Sequence, residues 1–133
     1  MNALNAWLDK LYETFIASGG YKFLLEGLGN TILITLGALI IGVVIGTVIS
    51  IVKYFSEDVP QLKPVATLCD LYVTVIRGIP ITVLLLIFYF VILVTAKDIV
   101  VAILAFGINS GAYMAELIRS GINAVDKGQM EAG

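Results

Sequence analysis

The sequence predicts an all-α, polytopic membrane protein with three transmembrane helices and an N-terminal amphipathic helix at the interface. Three observations carry that expectation. Hydrophobic residues make up 59% of the chain and charged residues only 14%, with a mean hydropathy of +1.01, well outside the range of soluble domains. Thr31 to Val52 is a run of 22 uncharged residues. At about 1.5 Å rise per residue it reaches about 33 Å, enough to cross a hydrocarbon core of about 30 Å. Two further uncharged runs, Gly78 to Ala96 and Ile99 to Ala115, follow with only Lys97-Asp98 between them.

The first element is predicted over residues 1–20. Leu4, Trp7, Leu8, Leu11, Tyr12, Phe15 and Ile16 recur at three- and four-residue spacing, with Asn5, Asp9, Lys10, Glu13 and Thr14 opposite. Gly19-Gly20 ends the helix, and Trp7 with Tyr12 suits the headgroup level. The rest, 21–133, reads as a transmembrane domain with spans at about 29–53, 65–96 and 99–122.

The first span carries Ala38, Gly42, Gly46 and Ser50 at four-residue intervals. Helices in lipid gain little from hiding apolar surface, so a face of small side chains favours association by letting backbones approach. After the polar loop Ser56 to Pro60, Pro64 suits the first turn of the next helix. That second span is interrupted. Asp70 lies within it, and Arg77-Gly78-Ile79-Pro80 places a charge, a glycine and a proline in four positions. Pro80 lacks an amide proton and disfavours helical geometry at Ile79, so a kink is expected there. Arg77 is open to two readings, a snorkelling interfacial cation or a pairing and gating residue.

The third span repeats the ladder with Gly107, Gly111 and Ala115, and it carries Asn109, Ser110 and Tyr113. Polar groups facing lipid would be unpaired, so this helix is expected to face protein or a cavity. Glu116 and Arg119, three apart, either pair with one another or serve a ligand. Asn109, Ser110, Tyr113 and Glu116, with Arg77, are the candidates for a pathway lining. A zwitterionic amino acid offers one carboxylate and one ammonium, which such groups would hold weakly enough to release.

Composition also excludes functions. The net charge is −2 with no basic run, which argues against nucleic acid as a partner. Histidine is absent and Cys69 is the single cysteine, so no metal site, Cys-His nucleophile or internal disulfide is expected, and no cofactor. Cys69 reads as a small packing residue. Lys53, Lys63, Arg119 and Lys127, with Arg77 at the edge, fall on one side of the spans against Lys10, Lys22 and Lys97 on the other. The positive-inside rule then places the N-terminus outside and the C-terminal loop in the cytoplasm.

Four segments resemble the permease subunits of bacterial ATP-binding-cassette importers for polar amino acids, of the glutamine and histidine permease type. They are Gly27-Leu28-Gly29-Asn30-Thr31; Tyr72 through Arg77-Gly78-Ile79-Pro80-Ile81; Ala112 through Ile122; and Gly128-Gln129-Met130-Glu131-Ala132-Gly133. The second is similar to the family's arginine-glycine-threonine-proline-leucine signature, with Ile79 and Ile81 substituted. The last resembles the start of its cytoplasmic glutamate-alanine-alanine loop, with Gly133 in place of the second alanine. The Lys97-Asp98 turn is shorter than the family's outer loop. Family members continue through two further spans, so the chain reads as the N-terminal part of a five-helix core, ending inside the loop.

The resemblance implies a permease of the bacterial inner membrane that works with a separate ATP-binding-cassette ATPase, a second permease copy or homologue, and an extracytoplasmic solute-binding protein. It assigns Gly128, Gln129, Glu131, Ala132 and Gly133 to ATPase coupling. With no phosphate-binding glycine loop the chain itself is not expected to be an enzyme. A second reading is a truncated, non-transporting interaction protein that pairs with other permease subunits through the faces built on Ala38, Gly42, Gly46, Ser50, Gly107 and Gly111.

Overall fold

A computed structural model of the chain describes residues 2–125. The described residues form helices and turns only: α1 (Ala3–Tyr12), α2 (Gly20–Phe55), α3 (Lys63–Gly78), α4 (Ile81–Ile87) and α5 (Asp98–Ala124). They fall into two compact units, divided between Leu33 and Ile34 inside α2. Two helices, α2 and α5, are long and apolar enough to cross a membrane, and α3 with α4 forms a third, broken pair. Over the described residues the chain is an all-α integral membrane protein with two helices of spanning length and one bent pair.

In the first unit α1 widens into a π-helical turn, Glu13–Ala17, before Gly19 takes φ 74° and stops it. That left-handed conformation costs glycine nothing. Ser18 donates its hydroxyl to the Thr14 carbonyl at 2.6 Å, satisfying one of the orphan acceptors of the helix end. Leu4, Trp7, Leu8, Tyr12 and Ile16 are all exposed. Helix α2 then starts at Gly20, nine residues before the expected span, because nothing between Tyr21 and Asn30 forbids helical backbone.

The second unit is built on close contact between α2 and α5. Ala38, Gly42, Gly46 and Ser50 are buried on α2, and Gly107, Gly111 and Ala115 on α5. A Cβ added at Gly42 would lie 2.7 Å from the Ser110 Cβ, and one at Gly46 only 2.6 Å from the Met114 Cβ. Reciprocally, a Cβ at Gly107 would meet Ile41 at 2.8 Å and one at Gly111 would meet Ile45 at 2.7 Å. Each ladder is thus filled by the other helix of the same chain.

Helix α3 begins with Pro64 in its first turn and ends at Gly78. Ile79 is extended (φ −93°, ψ 127°), as expected of a residue before proline. The axes on either side differ by 105°, and the amide of Leu84 restarts the ladder on the Pro80 carbonyl at 3.0 Å. Beyond the bend α4 passes into a π-helical turn, Phe88–Ile92. The expected second span to residue 96 therefore stops as helix at Ile92, and residues 93–97 make the connection. The two-residue turn at Lys97-Asp98 is corrected accordingly: Leu93 leaves the helical region (φ −119°, ψ 45°), and Lys97 is the extended residue capping α5, with Asp98 at the positive end of its dipole.

Leu84, Phe88, Val101 and Ala105 form one core cluster, between α4 with its π-helical turn and α5, and Ile49, Val73 and Ala115 a second, among α2, α3 and α5. Cys69 packs, partly buried, against the second.

Candidate functional site

Lys53 lies in the last turn of α2 and Arg77 in the last turn of α3. Both positions favour cations, because the final carbonyls of a helix carry partial negative charge. Each also finds a carboxylate on a neighbouring helix. Lys53 Nζ is 2.5 Å from Asp70 Oδ1 on α3 and 3.5 Å from Glu116 Oε1 on α5. Glu116 Oε2 is 3.6 Å from Arg77 Nη1, and the Arg77 guanidinium lies over the Tyr113 ring, 5.2 Å from its centroid. The result is an alternating chain of charge, Asp70, Lys53, Glu116, Arg77, that ties α2, α3 and α5 together. The Lys53 side chain is only 9% exposed, whereas those of Asp70 and Arg77 are 57% and 42% exposed.

The open side of this chain is a groove of about 560 Å³ between α3 and α5, lined by Asp70, Val73, Thr74, Arg77, Gly78, Tyr113, Glu116 and Arg119. Asp70 and Arg119 also reach a smaller cavity of about 130 Å³, which Ser50, Lys53 and Glu57 help to line. Two cations and two carboxylates face the larger space beside the break at Ile79-Pro80. The groove reaches Gly78, the end of α3 next to the bend, and loosened backbone in a membrane protein is tolerated where it borders a polar or water-filled cavity.

Three of the five pathway candidates, Arg77, Tyr113 and Glu116, meet in the groove. Asn109 and Ser110 do not line it; both are half-buried, and the Ser110 Cβ is against α2 at Gly42. Glu116 pairs with Lys53 and Arg77 across helices rather than with Arg119 along its own. The coupling candidates Gly128, Gln129, Glu131, Ala132 and Gly133 lie outside the described residues.

Sequence reasoning passed over Lys53 and Asp70 as site residues, and Arg119 as a groove residue. The signal was present for Asp70, a lone carboxylate inside an apolar helix, which in a membrane implies a partner. Two polar tethers were also missed. Ser50 donates to the Ala115 carbonyl at 3.0 Å, and Tyr72 to the Ile108 carbonyl at 2.5 Å. The absence of a side chain at Gly111 leaves room for the Tyr72 hydroxyl, which would stand 3.1 Å from a Cβ there.

No protein-family model matches the chain. It is 39% identical over 114 residues to the arginine transport system permease protein ArtQ of Bacillus subtilis, covering 83% of this chain and 50% of that protein. It is 38% identical over 114 residues to the putative glutamine transport system permease protein GlnP of Rickettsia prowazekii, with the same shares covered. Among solved structures it matches an amino acid ABC transporter crystallised with histidines, with a TM-score of 0.70 and 35% identity over 89% of this chain and 55% of that one. The chain spans about half the length of the relatives it matches. Over that half, it is a homologue of the amino-acid ABC transporter permeases.

Proposed function

We propose that the chain forms part of the translocation pathway of an ATP-driven importer for polar amino acids in a bacterial cytoplasmic membrane. The observation that carries this reading is the groove in which Arg77 and Arg119 face Asp70 and Glu116 beside the broken helix. Such a surface offers complementary charge to both ends of a zwitterion. None of its groups is deeply enough enclosed to hold a ligand tightly, and weak holding suits passage. The names of the relatives, an arginine and a glutamine transport permease, support the substrate class.

ATP hydrolysis belongs, on this reading, to a separate ATPase that takes the segment from Gly128 to Gly133 as its contact. A solute-binding protein delivers the substrate from outside, and a second permease completes the pathway. The N-terminus lies outside and the Lys53 and Arg119 ends of the helices face the cytoplasm, following the distribution of Lys and Arg. The alternative of a non-transporting protein that pairs through its glycine faces loses its motive, since those faces are occupied by α2 and α5 of the same chain.

Uptake of labelled amino acids by proteoliposomes holding the complete permease pair with its ATPase, supplied with the solute-binding protein, tests the reading. Arg77→Gln should lower uptake about tenfold or more while membrane insertion is unchanged, as expected when a charged group in a pathway is removed. Uptake at the wild-type level would take the groove out of the pathway.

A further inference from the structure

Resting on the amino-acid reading of the groove, we propose that Glu116 is an internal stand-in for the ligand's carboxylate: it occupies Arg77 while the groove is empty and passes to Lys53 when a ligand carboxylate takes its place. The distances grade the ion pairs. Lys53 Nζ is 2.5 Å from Asp70 but 3.5 Å from Glu116, and Arg77 Nη1 is 3.6 Å from Glu116. A well-made pair of guanidinium and carboxylate is bidentate, at about 2.7–2.9 Å. Glu116 therefore leaves most of the donor capacity of Arg77 unused. The Glu116 and Arg77 side chains are 32% and 42% exposed and both line the groove, so their contact is open to a competitor.

The guanidinium keeps its place when Glu116 leaves. It lies over the Tyr113 ring, 5.2 Å from the centroid, a contact that draws on its charge and consumes none of its N–H donors. Glu116 in turn has Lys53 within reach, which spares it the cost of an uncompensated charge between helices. The ligand's ammonium goes to Asp70, which has one oxygen on Lys53 and a side chain still 57% exposed. Charges lining the groove and the adjoining cavity balance, with Lys53, Arg77 and Arg119 against Glu57, Asp70 and Glu116. The exchange thus acts on the α-carboxylate and α-ammonium that every amino acid carries and does not sort ligands by side-chain charge. Because Arg77 stands in the last turn of α3, beside the break at Ile79-Pro80, it also removes the ion pair that ties the end of α3 to α5.

The test is equilibrium binding of labelled L-arginine and L-glutamine to the complete permease pair in lipid nanodiscs, with the solute-binding protein left out. Competitors are the two unlabelled amino acids and the amines left when their α-carboxylates are removed, agmatine and 4-aminobutanamide. Glu116→Gln should raise the affinity ratio of each amino acid over its amine about two- to fivefold, the range set by losing a partly exposed ion pair as a competitor. Should Glu116→Gln fail to insert, Glu116→Asp keeps the charge but draws it back by one methylene, and must shift the ratio the same way. A ratio that stays at the wild-type value, or falls, would overturn the inference and leave the amino-acid site standing, with Glu116 serving the ammonium or the fold. No saturable binding of either amino acid to the wild type would overturn the amino-acid reading itself, and this inference with it.

Discussion

Single side chains decide how the spans are tied. Ser50 and Tyr72 are polar groups on apolar helices, and each donates to a backbone carbonyl of α5 rather than to solvent. A carbonyl in a helix has a second lone pair free after its intrahelical bond, so the added donor costs the helix nothing. Ser50 was legible in the sequence as a small residue on a packing face, but its partner was not, because Ala115 is 65 residues away. Tyr72→Phe removes only the donor and keeps the ring. It should lower stability by about 0.5–1.5 kcal/mol, the usual net value of an interhelical hydrogen bond in lipid. Reversible unfolding in mixed micelles measures this, and an unchanged midpoint would show that the Ile108 carbonyl gains nothing from the bond.

At the scale of elements, the glycines of α2 and α5 are not equivalent, and space distinguishes them. Gly46 faces the Met114 side chain and the Ala115 amide nitrogen, the latter 2.9 Å from an added Cβ, whereas nothing lies within 4 Å of one at Gly121. Gly46→Ala should cost about 1–3 kcal/mol by forcing the helices apart. Gly121→Ala should be neutral or slightly stabilising, since alanine is the better helix former. Unfolding of both variants by the same assay checks the contrast; equal effects would mean that the helices do not approach as closely as described. The broken helix was equally legible, because Pro80 acts through its own ring on the residue before it. The end of α4 was not. Phe88–Ile92 contains no proline, glycine or charge, so its wide turn arises from packing: Phe88 is buried against Val101 and Ala105.

For the molecule as a whole, orientation across the bilayer is the first property to measure. In a Cys69→Ser background, an impermeant maleimide should label Thr95→Cys in intact cells and Glu57→Cys only after permeabilisation, both positions being exposed. The reverse pattern would place the Lys53 and Arg119 ends of the helices outside. Fold class, the amphipathic first helix, the broken span and the small-residue ladders could be read from the sequence alone, because each depends on local properties: the length of an uncharged run, the period of apolar residues, the stereochemistry of proline. The charged groove could not. Asp70, Lys53, Glu116 and Arg77 stand on three helices and are brought together only when the ladders of α2 and α5 interlock and α3 packs against both. Pairing along α5, Glu116 with Arg119, is what sequence spacing suggests. The tertiary structure decides otherwise, since two cations at neighbouring helix ends surround Glu116 and direct it away from its own helix.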